Sequence, residues 1–217
     1  MSPIEFFPVG KSETCSIAKD GTVSFPQRIL DAIGWRAGDE IATSYIPIPL
    51  TLLLRVTNDG RPGFKLSYLA RTGNKKTGGK LNLSAFVNNI MRHQVILPRT
   101  GIKPAYLASG AYQLALVLEE IHWQDAEFNV SGIQLVPEDM MGVYEILGTD
   151  QVVLRIGEGF LQSRLREHLK DDRLRQVGRR VRYLAVNKDD AVILEKVLLA
   201  LHELDHSSLP PFNLMRS

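Results

Sequence analysis

Apolar and polar residues alternate over short stretches in the first half of the chain and recur at helical spacing in the second. Val23 and Phe25 alternate with Thr22 and Ser24 behind an Asp20-Gly21 turn dipeptide, the pattern of a half-buried strand. Pro26 opens a helix at a position where a missing N–H costs nothing, and Ile29, Leu30 and Ile33 share its buried face. Gly34 ends that helix, and Ala37-Gly38-Asp39 turns the chain into another strand. Ile46-Pro47-Ile48-Pro49 interrupts a strand-like region, and the dense apolar run from Leu50 to Val56 reads as a buried strand. Asn58-Asp59-Gly60-Arg61-Pro62-Gly63 concentrates turn residues and marks a boundary, so a first unit is expected over 1–57.

A second unit is expected over 64–135. The segment from Gly79 to Met91 lies over Gly21 to Ile33 without a gap, placing Leu81 on Val23, Leu83 on Phe25 and Ser84 on Pro26. An extra Val95-Ile96-Leu97-Pro98 follows, and Tyr112 to Glu119 then matches the closing strand at Thr51 to Val56. One such unit cannot bury its apolar hairpin alone, so a second copy in the same chain can stand in for a second subunit. Two unrelated amphipathic corners are the alternative.

The stretch from Lys19 to Ile41 carries a strand-to-helix corner at Gly21-Thr22-Val23-Ser24-Phe25-Pro26, a short helix, Gly34, and Gly38-Asp39 before a hairpin. It resembles the AbrB/SpoVT/MazE swapped-hairpin family. The resemblance implies two units interleaving their hairpins into one small barrel, and it implies duplex DNA as partner and transcription regulation as function. Members often place a basic residue just after the turn glycine and an arginine on the helix; Thr22 and Leu30 stand there instead. Lys19, Arg28 and Arg36 remain near the matching surface as phosphate-binding candidates.

From Val136 onward arginine becomes frequent. Arg164, Arg166, Lys170, Arg173, Arg175, Arg179, Arg180 and Arg182 face only Glu167, Asp171 and Asp172 in the same interval. Leu161, Leu165 and Leu169 form a helical stripe that is expected to leave Arg164, Arg166, His168 and Lys170 on the exposed side. Guanidinium groups bind phosphate oxygens in a bidentate manner, so this cluster is a candidate DNA contact; a solvated helix with internal ion pairs is the bland alternative. Val181 to Val186 reads as a strand, Asn187 to Asp190 as a turn, Ala191 to Leu194 as the return strand and Glu195 to Leu204 as a terminal helix. The expected organisation is α+β and mainly β: tandem swapped-hairpin barrel units with short helices, a basic C-terminal α/β module over 136–206, and a flexible tail over 207–217.

His202-Glu203-Leu204-Asp205-His206 satisfies H-E-x-x-H, in which His202 and His206 could share a zinc ion while Glu203 activates water. Asp205 inside the motif and the short remainder after His206 weigh against it, and a third ligand would have to come from upstream, such as Glu138 or Glu145. Asp189, Asp190, Glu195 and Lys196 lie close together, but their spacing departs from the acid-x-Lys strand of nuclease cores. Gly157-Glu158-Gly159 lacks the third glycine of a dinucleotide loop. Cys15, the single cysteine, rules out an intramolecular disulfide and reads as a core residue.

The 217 residues carry 26 Lys and Arg against 24 Asp and Glu, so net charge adds little and only local clustering favours a polyanion. Neither a basic head with an apolar stretch nor an 18-residue apolar run occurs, and the expectation is a cytoplasmic protein with no membrane partner. A non-enzymatic DNA-binding protein without cofactor, as a homodimer or an internal pseudo-dimer, is the leading expectation. A protein-interaction scaffold of the same fold is the alternative.

Overall fold

The computed structural model describes residues 13–57, 63–68, 71–72, 75–76, 78–89, 98–108 and 111–214. The chain is mixed α and β, mainly β, and divides into two compact units, 1–120 and 121–217. No described helix is long and apolar enough to cross a membrane.

In unit 1 the order is β1 (Cys15–Ile17), β2 (Thr22–Phe25), α1 (Gln27–Ile33), β3 (Glu40–Pro47) and β4 (Leu50–Val56), then β5 (Phe64–Tyr68), β6 (Arg71–Thr72), β7 (Lys75–Lys76), β8 (Gly79–Asn82), α2 (Ser84–Asn89), β9 (Arg99–Ile102), β10 (Pro104–Tyr106) and β11 (Leu114–Val117). The first corner follows from its residues. Asp20 Oδ1 accepts from the Thr22 N–H at 2.9 Å and fixes the turn into β2. Pro26 stands immediately before α1, and Gly34, at φ 75°, caps it in the left-handed region that side chains avoid. Ile48-Pro49 is the hairpin turn between β3 and β4 rather than an interruption within a strand.

Antiparallel pairing runs β10-β11-β4-β3-β5-β8-β2-β1-β9, and Lys103 alone separates β9 from β10, so the sheet is nearly closed into a barrel. The pairing has a two-fold pattern. Exchanging β1 with β5, β2 with β8, β3 with the β9–β10 run and β4 with β11 returns the same set of partners. The register obeys the same exchange. Val23 opposes Leu81, flanked by Thr22↔Asn82 and Ser24↔Lys80. These are the pairs required by a two-fold axis through Val23↔Leu81 when 21–33 and 79–91 are equivalent. Ile17↔Val23 recurs as Leu66↔Leu81, and Cys15↔Ile102 recurs as Phe64↔Ile41.

One core serves both halves. Val23, Phe25, Ile29, Leu30, Leu52 and Leu54 pack in the same cluster as Leu66, Leu81, Leu83, Phe86, Leu114 and Leu116. Cys15 belongs to it, 1% exposed, and burial pushes its thiol up to about 12, as expected of a core residue rather than a nucleophile. The Asn58 turn and the Val95-Ile96-Leu97 insertion lie outside the described residues.

Unit 2 contains β12 (Gln124–Glu127), α3 (Val130–Gln134), β13 (Met141–Leu147), β14 (Val153–Phe160), α4 (Leu161–Leu169), α5 (Asp172–Val177), β15 (Arg180–Ala185), α6 (Lys188–His206) and α7 (Pro211–Leu214). Its antiparallel sheet has the order β12-β15-β13-β14, which leaves β14 at an edge. β12 and α3, expected with the second barrel unit, belong here. Ile133, Tyr144, Ile146, Leu161, Leu165, Leu174 and Val181 form its main cluster, and α6 packs on β13 and β14 with Ala191, Leu194, Val197 and Leu198 buried.

Two expectations are corrected. Residues 187–194 are not a turn and return strand: Asn187 caps α6 by accepting from the Asp190 N–H at 2.9 Å, and the helix runs unbroken for 19 residues. The tail is ordered through 214. Phe212 is buried, and the Asn213 side chain accepts from the Ile156 N–H at 2.8 Å and donates to the Ile156 C=O at 2.7 Å, so α7 is fastened to the edge strand.

A shared core predicts that the two halves of unit 1 unfold together. Leu81→Ala and Ile29→Ala, in different halves, are each expected to cost about 2–5 kcal/mol. In a Trp123→Phe background, urea unfolding followed by Trp35 fluorescence should give one transition whose midpoint both substitutions lower. Two separable transitions would contradict a common core.

Candidate functional site

The polar side chains with unusual surroundings gather on the β13–β14 hairpin and the helices beside it. β13 is buried along nearly its whole length, and Tyr144 sits in its middle opposite Gly157 of β14. A Cβ at Gly157 would collide with Tyr144 Oη, so the glycine makes room for the phenol. On α4 the Leu161 and Leu165 stripe is buried, and Arg164 and His168, one turn apart, flank it. Tyr144 Oη and His168 Nε2 lie 2.7 Å apart and share a hydrogen bond, with ring centroids at 5.6 Å.

Burial, then the charges of Arg155 and Arg164, pull the His168 pKa down to about 4, so the imidazole is neutral at pH 7. Burial holds the Tyr144 hydroxyl above its ordinary range, with Arg164 and Arg155 opposing, so it stays protonated. Glu195 enters from α6. Burial and then Glu158 raise its carboxyl above the ordinary range, against the pull of Arg155, Arg164 and Lys196. Arg155 Nη1 donates to the Phe212 C=O, while its Nε is buried and has no hydrogen-bond partner among the described residues. The Arg155 Nε is thus a buried donor left unmet beside a neutral histidine. Tyr144, Arg155, Glu158, Arg164, His168 and Glu195 thus form one cluster carrying an acceptor, a hydroxyl, two cations and two carboxylates, with Tyr144 fully buried and the others partly exposed.

The basic run is dispersed and internally paired, not an open stripe. Arg164 pairs with Glu167 at 2.7 Å, Arg166 with Glu138 at 3.5 Å, Arg173 with Asp171 at 3.8 Å and Arg175 with Asp172 at 2.5 Å. Arg180 pairs with Asp125 at 3.0 Å, and Arg179 donates to the carbonyls of Gln176 and Gly178. Arg182 bonds buried Glu145 at 2.5 Å and lies 4.9 Å from the Trp123 ring centre, a structural pairing of a desolvated carboxylate. Lys170 alone of this group has no partner among the described residues; with Arg166 and Arg175 it borders a cavity of about 300 Å³ floored by Val130, Ile133 and Leu169. The expected exposure of His168 is corrected, since its ring meets Tyr144, while the Arg164 side chain keeps 43% of its surface exposed. In unit 1, Lys19, Arg28 and Arg36 are exposed, and Arg28 pairs with Glu13 at 3.2 Å.

His202 and His206 lie on the last turn of α6 with rings 4.4 Å apart, and His202 Nδ1 contacts the Ser208 carbonyl at 3.0 Å. Among the described residues no group of three His, Cys, Asp or Glu side chains could hold a metal ion, and both upstream candidates for the third ligand, Glu138 and Glu145, are engaged by arginines. Of the acid-rich segment only Glu195 reaches the cluster; Asp189 and Asp190 occupy the first turn of α6.

Sequence reading missed Tyr144 and Arg155. The available signal was a glycine facing an aromatic residue across a hairpin, with arginine and histidine spaced four apart on the following helix. A model of a domain of unknown function, DUF7508, matches residues 119–203, a span that contains all six members of the cluster. No curated protein and no solved structure matches the chain.

The His168 environment has a sign that can be measured. The folded pKa lies below the free value of 6.5, so the unfolded chain binds the extra proton between pH 6.5 and about 4, and unit 2 should lose stability as pH falls through that window. NMR should find the His168 imidazole neutral at pH 5.5, and His168→Asn should flatten the stability profile over the same range. Protonation of His168 near pH 6.5 would contradict the described packing.

Proposed function

We propose that this chain is a nucleic-acid-processing protein in which unit 2 hydrolyses phosphodiester bonds and unit 1, an AbrB-like barrel completed within one chain, binds the duplex. The 2.7 Å bond between Tyr144 and neutral His168, set among Arg155, Arg164 and Glu195, carries the reading. Hydrolysis at phosphorus gives Tyr144, Arg155, Arg164, His168 and Glu195 each a role.

The chemistry follows from the residue types. Two guanidinium groups neutralise the non-bridging oxygens of a phosphodiester and stabilise the charge that accumulates in the transition state. A carboxylate such as Glu195 suits Mg²⁺ or Mn²⁺, which bind through one or two carboxylates, substrate phosphate oxygens and water. The attacking water gives its proton to the neutral His168 imidazole through the ring nitrogen not bonded to Tyr144, while Tyr144, which has no exposed surface, holds the ring through their shared hydrogen bond. The water oxygen forms a bond to phosphorus, one ester P–O bond breaks, and the departing sugar oxygen takes a proton from solvent.

The barrel supports the binding half of the proposal. Its two-fold strand pairing is what a barrel of two interleaved hairpins, as the AbrB resemblance implies, would show. Lys19, Arg28 and Arg36 are its candidate phosphate contacts. The paired arginines between 164 and 182 carry less of the binding than their number implies, because each ion pair must open before a phosphate replaces it.

Cleavage of a pooled, end-labelled duplex by the whole protein should require Mg²⁺ or Mn²⁺. His168→Ala and Glu195→Gln should each lower the rate by about 10²–10⁴-fold. Duplex affinity by fluorescence anisotropy should stay within about 2-fold of the parent and weaken steeply with salt. Metal-dependent cleavage that survives both substitutions would place the activity elsewhere.

A further inference from the structure

We propose that the cavity bounded by α3, α4 and α5 binds a small amphipathic carboxylate, an apolar body ending in a single negative charge. The cavity measures about 300 Å³, at the small end of the range for ligand sites. Its floor is apolar: Ile133 is buried, Leu169 half-buried, and Val130 keeps 65% of its surface exposed at the side. Its rim is cationic. Arg166 comes from α4, Lys170 from the C-terminal cap of that helix and Arg175 from α5, and among the described residues no carboxylate lines the cavity.

The balance of charge selects the head group. Glu138 holds Arg166 at 3.5 Å and Asp172 holds Arg175 at 2.5 Å, whereas Lys170 has no partner among the described residues. One positive charge is therefore left over above an apolar floor. A carboxylate accepts a charge-assisted hydrogen bond from the Lys170 ammonium while the body behind it takes the floor out of water. A neutral molecule leaves the ammonium unmatched, and a bare anion leaves the floor wet. The site stands apart from the Tyr144 cluster and from the hydrolase reading. At 3.6 residues per turn, Arg166, Leu169 and Lys170 project about half a turn away from Arg164 and His168, so the two sites occupy opposite sides of α4.

Octanoate, titrated into the full chain with labelled methyl groups and followed by NMR, tests the assignment. It should shift the methyl signals of Val130, Ile133 and Leu169 saturably, with a dissociation constant of about 0.1–1 mM for a ligand of this size. Lys170→Glu and Val130→Asp change exposed positions, so each should keep the parental melting temperature and weaken octanoate by about 5-fold or more. Octanol and acetate, the body and the head alone, should each bind about 5-fold or more weakly than octanoate. Absence of saturable shifts at those methyls, octanol binding as tightly as octanoate, or an affinity unchanged in Lys170→Glu would overturn the proposal. Tighter binding of octyl phosphate than of octanoate would overturn the carboxylate head. None of these results bears on the hydrolase reading.

Discussion

Half of this barrel cannot exist by itself. The strands of residues 15–56 carry an apolar face and backbone edges that would meet water unless another set of strands covered both, and burying a Val or Leu side chain is worth about 1.5–3 kcal/mol. The second set is supplied by residues 64–117 of the same chain. Val23 lies against Leu81 and Leu54 against Leu114, so each half closes the other along two seams. Everything in unit 1 follows from that mutual closure, including the single core and the sheet's near-complete circuit.

Unit 2 solves a different problem. It must hold a polar group in an apolar setting. The means are steric and local: Gly157 leaves space for the Tyr144 hydroxyl, the Leu161 and Leu165 stripe sets the rotation of α4, and that rotation carries His168 onto the phenol. Asn213 fastens α7 along the backbone of Ile156, beside Arg155, and so stiffens an edge strand that would otherwise be the loosest part of the sheet. Burial then keeps His168 neutral.

The barrel was legible where local chemistry decides structure. The Val23–Phe25 alternation, Pro26 and Gly34 placed the corner. Short apolar runs were not legible: Ala191 to Leu194 suits a strand or a helix by composition, and the deciding signal was Asn187 as cap with Asp189 and Asp190 in the first turn. The pairing of the arginine cluster was legible only in part: Arg164, Arg173 and Arg175 pair with the nearby Glu167, Asp171 and Asp172, whereas Asp125 for Arg180 and Glu145 for Arg182 are acids far away in sequence that a window of neighbouring residues does not contain. His168 was read as exposed because its partner lies 24 residues earlier on a strand that looks like plain core.

On the proposed reading the buried Tyr144 hydroxyl positions the His168 imidazole for chemistry and is not merely a core polar atom. Single-turnover cleavage of a labelled duplex by Tyr144→Phe, with Mg²⁺ and the protein in excess, tests this claim, because the ring and its packing are kept while one oxygen is removed. The prediction is a rate lower by about 10²-fold or more, with thermal stability and duplex affinity close to those of the parent. Cleavage by Tyr144→Phe at the parental rate would contradict the claim.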